Sequence, residues 1–136
     1  MSNVSSSPAP KPSFAAAANP LLAVWDAPFE TPPFGQIRPE HFPPAYAQAF
    51  AEHAAEIAAI RDNPAEPTFE NTIAALERAG ALLTRVSAVF SNLVSAHSSP
   101  ALLEIENDIA LEEARHWNPI MMDAALFGRI TALRDN

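Results

Sequence analysis

The side chains able to do chemistry here are four histidines, at positions 41, 53, 97 and 116, and sixteen carboxylates. Metal-assisted hydrolysis is the chemistry such groups would most naturally supply. The zinc-peptidase signature H-E-x-x-H sets two histidines one helical turn apart with a glutamate between them as base. It is absent, because no histidine is followed by glutamate. Glu113 and His116 form a single E-x-x-H pair beside Arg115. Di-iron bundles use that pair twice, together with two further glutamates, so one copy reads more plainly as a solvated helix end. His53, next to Glu52 and three residues before Glu56, reads as part of an exposed helical charge cluster. His97 follows the end of a long helical pattern, where a cation complements the negative helix terminus. His41, within Pro39-Glu40-His41, reads as a cap or a strap contact.

Other chemistries lack their parts. The serines cluster in the first residues and around Ser95 to Ser99, with no G-x-S-x-G elbow. Glycine occurs only at 35, 80 and 128, which rules out a Gly-rich phosphate loop. There is no cysteine, hence no disulfide, thiolate zinc site or cysteine nucleophile. No catalytic, cofactor-binding or metal-ligating residue is therefore expected in this chain. The formal net charge is −8 and the eight Lys and Arg form no run, which argues against a nucleic-acid partner. Nor is a membrane partner expected, since no uninterrupted apolar run approaches the roughly 20 residues that span a bilayer. The cytoplasm is the expected compartment, one with which the lack of cysteine is compatible.

The elements that would position these groups are helices. Nearly half of the residues are hydrophobic, many of them alanine, which enters a helix at no side-chain entropy cost. Residues 1–18 are rich in Ser, Pro and Ala without the apolar core of a signal peptide, and read as a disordered tail. From Pro20 to Pro44 there are seven prolines, too many for regular helix. Large apolar residues sit among them, so this stretch is expected to be an extended strap on a helical body, anchored by Trp25 and Phe34. A first helix is expected from Pro39 or Pro43 to about Arg61, with an apolar stripe of Tyr46, Phe50, Ala54, Ile57 and Ile60. Asp62-Asn63-Pro64 ends it. Thr68 is a good N-cap for a long helix reaching about Ala96, apolar on two sides from Leu82 onward and so packed on both. Gly80 within it marks either a close helix approach or a mild bend. Ser99 and Pro100 start a third helix carrying Leu102, Ile105 and Ile109, which Asn118-Pro119 should interrupt. Asp123 caps a last helix through Leu133. The fold expected is all-α, a bundle of antiparallel helical hairpins with an extended Pro-rich amino-terminal strap.

Several stretches in order resemble one family. Asn19-Pro20-Leu21-Leu22, Pro28 to Phe34 and Ile37-Arg38-Pro39-Glu40-His41 resemble the opening of bacterial oligopeptidase A and peptidyl-dipeptidase Dcp, as does Pro67-Thr68-Phe69-Glu70-Asn71-Thr72-Ile73. Ala55 to Ile60 and Leu82 to His97 lean towards the peptidyl-dipeptidase branch, and Leu126-Phe127 and Arg129 fit the family's next helix. The resemblance covers residues 19–134, with a longer Ser/Pro-rich start than usual. It implies a mostly helical zinc metallopeptidase like thimet oligopeptidase, hydrolysing short peptides in a deep channel. Its zinc ligands and water-activating glutamate belong to an H-E-x-x-H helix and a later glutamate, none of which this chain holds. By that resemblance residues 19–136 are an amino-terminal helical domain cut before the catalytic domain, with zinc in the full-length parent only. Its partner would be the remainder of the peptidase, with short peptides as the parent's substrates. The competing expectation is a stand-alone helical module binding a peptide or protein. Isolated, the Leu82–Val94 helix is expected to expose apolar surface and drive self-association.

Overall fold

The computed structural model of the chain describes residues 19–135, so the tail expected over residues 1–18 lies outside the described residues. Helices make up the body: α1 (Phe42–Arg61), α2 (Ala75–Arg78), α3 (Ala81–Ala96), α4 (Pro100–Met121) and α5 (Ala124–Arg134). No strand is formed among the described residues, and the all-α expectation holds.

The starts of these helices follow from local chemistry. Pro39–His41 forms a short 3-10 turn leading directly into α1, where Pro43 sits in the first turn at no cost in hydrogen bonds. Ser99 caps α4 through its hydroxyl, which accepts from Leu102 N–H at 3.3 Å. Asp123 caps α5 by accepting from Leu126 N–H at 3.0 Å, and that hydrogen bond holds its carboxyl below the usual carboxylate range. Thr68 caps as expected, its hydroxyl accepting from Asn71 N–H while Asn71 Oδ1 accepts from Thr68 N–H. The turn that follows, Phe69–Ala74, is wound as a π-helix before α2 continues it.

Two expected boundaries are corrected. The long helix from Thr68 to Ala96 is broken, because Ala79 is extended and Gly80 is left-handed at φ 79°. Phe69–Ala96 has the length and mean hydropathy of a membrane span, but this break divides it. Asn118-Pro119 does not interrupt α4, which runs on to Met121. Pro119 falls in the last turn, where losing one N–H donor and crowding one carbonyl costs less than in a helix interior.

Side-chain pairs define the topology. Phe42 and Tyr46 near the start of α1 meet Phe90 late in α3, with ring centroids 4.8 and 5.7 Å apart, while Glu56 late in α1 meets Gly80 at the start of α3. These helices are therefore antiparallel. Phe50 and His53 of α1 meet His116 of α4, and Arg61 at the end of α1 meets Asp123 just beyond α4. The α4 helix thus returns alongside α1 in the same direction. The main core lies between them and comprises Leu21, Phe42, Ala45, Tyr46, Ala49, Val86, Val89, Phe90, Leu102 and Ile109 among others. A second cluster of Ile57, Ile60 and Leu126 joins the far end of α1 to α5. Burying side chains of this size stabilises by about 1.5–3 kcal/mol each, which is what orders the helices on one another.

The strap lies on the body, with one anchor different from that expected. Phe34 is exposed, and the fully buried anchor is Leu21. Trp25 does serve: its indole N–H donates to Pro20 carbonyl at 2.8 Å and the Arg85 guanidinium stacks 4.6 Å from its ring. Arg85 also donates to Leu21 carbonyl at 2.9 Å, and Asn19 Nδ2 donates to His41 carbonyl at 2.8 Å. These bonds give the proline-rich backbone the partners its missing ladder cannot.

The Leu82–Val94 side of α3 is likewise not left open. Leu83, Val86, Val89 and Phe90 are buried, and Leu82, Leu93 and Val94 pack against them within the described residues. Large exposed apolar residues occur instead in the strap, at Val24, Phe29 and Phe34, at Phe69, and along α4 and its exit, at Leu103, Leu111, Trp117, Met121 and Met122, with Phe127 on α5.

Candidate functional site

Three elements converge where α1, the start of α3 and the last third of α4 meet. The buried stripe of α1 runs Phe42, Tyr46, Ala49, His53, Ile57 and Ile60, at steps of four, three, four, four and three. His53 thus takes the inward place expected of Ala54, which is exposed. The reading of His53 as a solvated charge is overturned, since it is only 4% exposed. His116 is not a free helix end either. His53 Nδ1 and His116 Nε2 lie 2.7 Å apart, a distance at which one ring must donate and the other accept.

The cluster around this pair is aromatic. Phe50 stacks on His116 at 4.8 Å, and Trp117 meets His53 edge-on at 5.0 Å. Below His53 sits Gly80, whose backbone approaches so closely that an added Cβ would stand 2.9 Å from His53 Cδ2. Of the alternatives for Gly80, the close approach is realised, and in place of a mild bend the chain breaks there. Its N–H donates to Glu56 Oε2 at 2.6 Å, so that carboxylate caps the chain reversal before α3. Beside these groups a cavity of about 300 Å³ opens, lined by His53, Gly80, Thr84, Ser87, Glu113 and Trp117 among others.

Electrostatics follow burial. Desolvation pushes the His53 imidazole below its ordinary pKa, opposed by the Glu56 charge. His116 is lowered by desolvation and then by the His53 charge beside it. Both rings are thereby biased to the neutral, hydrogen-bonded form. Tyr46 is raised by burial, partly offset by its hydrogen bond with Ser87.

The remaining histidines have structural places. His41 Nδ1 accepts from Arg38 N–H at 2.9 Å, closing the turn before α1, which is the cap among the two places expected of it. His97 ends α3, its backbone N–H donating to Leu93 carbonyl at 2.8 Å. Glu113, one turn before His116, faces the cavity, but no group of three His, Cys, Asp or Glu able to hold a metal ion occurs among the described residues. The two paired ring nitrogens are also too close for joint ligation, since tetrahedral zinc at about 2.0–2.1 Å would separate them by roughly 3.3 Å. The zinc that the resemblance implies does not fit this site.

Sequence reading missed the histidine pair because Ala54 seemed the better apolar candidate. The regular four-and-three spacing through His53 was the available signal, with Gly80 the complementary gap.

No protein-family model matches the chain. Dipeptidyl carboxypeptidase of Escherichia coli (strain K12) is 40% identical over 115 residues, 85% of this chain. Over that stretch the chain is similar to a dipeptidyl carboxypeptidase. The dipeptidyl carboxypeptidase of Salmonella typhimurium is 38% identical over the same length, and oligopeptidase A of that organism is 36% identical over 86 residues, 63% of this chain. The aligned part amounts to 17% of each dipeptidyl carboxypeptidase and 12% of the oligopeptidase, so the chain spans less than a fifth of these relatives.

Proposed function

We propose that this chain is a non-catalytic amino-terminal helical segment of a zinc peptidase that hydrolyses short peptides in the cytoplasm. Its role is to form part of the channel wall that restricts access to the catalytic centre. The observation that carries this reading is the 40% identity to dipeptidyl carboxypeptidase sustained over 115 residues. Two features support the passive role. His53 and His116 are hydrogen-bonded to each other, and the described residues offer no set of three ligands for a metal. In the complete enzyme, zinc would activate water and polarise the scissile carbonyl, using side chains outside the described residues. What the residues described here contribute is shape: a strap tied down at Leu21 and Trp25, and three helices locked at the His53–Gly80 junction.

A segment exchange tests this. Residues 19–135 should replace the matching stretch of the Escherichia coli dipeptidyl carboxypeptidase with zinc-dependent peptide hydrolysis retained. The isolated chain supplied with zinc should hydrolyse nothing. A well-folded but inactive chimera, or zinc-dependent turnover by the chain alone, would refute the proposal.

A further inference from the structure

The α4 helix carries two apolar faces, and the second is largely uncovered by the described residues, only Trp117 reaching His53 from its edge. Leu102 and Ile109 are buried against α1 and α3, with Ile105 packed beside them. The other face is a seam of Leu103, Asn107, Ala110, Ala114, Trp117 and Met121, recurring at steps of four, three, four, three and four. All six are exposed. Steps alternating between four and three residues define the repeat with which one helix packs along another, and a single Asn at such a position fixes register. Alanines at the centre let a neighbouring backbone come close, while Leu103 at one end and Trp117 with Met121 at the other supply bulk. A solvated helix face has no physical need of this pattern, since it would favour charged residues there.

The edges of the seam indicate what would cover it. Glu104 and Glu106 flank one end and Glu113 the middle, with Leu111, Asn118 and Ile120 completing the edges; the one nearby cation, Arg115, lies just outside the Leu111–Asn118 edge and is paired with Glu112 at 2.7 Å. A second copy of the chain would bring only more acidic or neutral edges, on a molecule whose formal net charge is already −8. We infer that the exposed seam of α4 is a docking site for an amphipathic helix whose apolar stripe is flanked by Lys or Arg. The seam is a property of α4 itself and stands whichever polypeptide supplies that helix, so it is independent of the peptidase reading.

The test uses the 136-residue chain and two synthetic helical peptides with the same Leu/Ala stripe, one edged with Lys and Arg, the other with Glu. The basic-edged peptide should bind at least about tenfold more tightly in titration calorimetry, a preference that shrinks as salt screens the edges. Ala114→Glu and Met121→Glu alter exposed helical positions and should each weaken binding about tenfold or more, with unchanged helical circular dichroism. Equal binding of both peptides, binding of neither, or wild-type binding by both variants would overturn the inference. So would a concentration-dependent dimer of the chain that Ala114→Glu abolishes, since it would make a second copy the occupant.

Discussion

The middle of α1 and the loop that follows it are fastened by different kinds of buried polar contact. Towards its middle, His53 is held by another imidazole, an aromatic ring and a glycine backbone, all from α3 and α4. Beyond its carboxyl end, Arg129 of α5 reaches back to the loop after α1. Its Nη1 donates to Asn63 carbonyl at 2.7 Å and Ala65 carbonyl at 3.2 Å, and its Nη2 to Asn71 Oδ1 at 3.2 Å. The first contact is a neutral pair that proton binding can break. The second is a guanidinium clasping two backbone carbonyls and one side-chain amide oxygen. The first therefore makes one junction conditional on protonation, whereas the second ties a loop and two elements together. The apolar core near Phe42, at the start of α1, buries larger side chains than either contact.

That ranking is open to measurement. Phe42→Ala should have the largest effect, because the ring is fully buried and packs against Phe90 at 4.8 Å. Removing it should cost about 3–5 kcal/mol, a large part of a small domain's stability. Urea unfolding followed by circular dichroism should show a much lower midpoint or no cooperative transition. An effect below that of the polar variants would invert the comparison. Gly80→Ala comes next. It places an alanine at φ 79° and a Cβ 2.9 Å from a ring whose 4% exposure leaves little room to retreat. Left-handed backbone costs an L-residue about 1–2 kcal/mol, and the contact adds to it, so about 2–3 kcal/mol is expected in the same assay. Arg129→Met should follow at about 2 kcal/mol, since the loop carbonyls it leaves can partly recover water. Unlike a change at the histidine junction, its cost should be the same at pH 7.5 and pH 5.5.

Much of this architecture is legible in the sequence, for reasons that differ by element. The caps at Thr68, Ser99 and Asp123 were readable because capping depends on side chains within three residues of the helix start. The three main helices were readable from apolar spacing. The misreadings share a cause, which is that the decisive partner lies far along the chain. His53 is inward because His116 is 63 residues away and hydrogen-bonds to it. Leu21 outranks Phe34 as an anchor because Arg85, 64 residues on, fixes its carbonyl. Gly80 could be recognised as unusual, but only the tertiary approach of α1 shows why alanine is excluded there. The candidate site was thus present in the sequence as spacing, and hidden by the convention that histidine belongs outside and alanine inside.

The smallest expected effect isolates the titratable junction. Histidines in an unfolded chain take up protons near their ordinary value of about 6.5. His53 and His116 do so at lower pH in the folded chain, because burial disfavours their charged forms. As pH falls below about 6.5 the unfolded state therefore binds more protons, and stability declines with it; above about 7 this contribution is flat. Glu56 and Glu113 are the carboxylates facing the pair, from α1 and α4, and Glu56 moderates the shift of His53 without reversing it. Asp62 and Asp123, lowered by hydrogen bonds with Arg61 and with Leu126 N–H respectively, lose their contribution only in the more acidic range below about 4. The interval from pH 7 to 5 thus reports on the histidines. Doubly protonated rings would each present a donor across 2.7 Å, and since Gly80 blocks His53 from below, His116 must turn away. His116→Asn should flatten the dependence of the urea midpoint on pH in this interval while Arg129→Met leaves its slope unchanged. An unaltered slope in His116→Asn would place the sensitivity elsewhere and erase the distinction between the two fastenings.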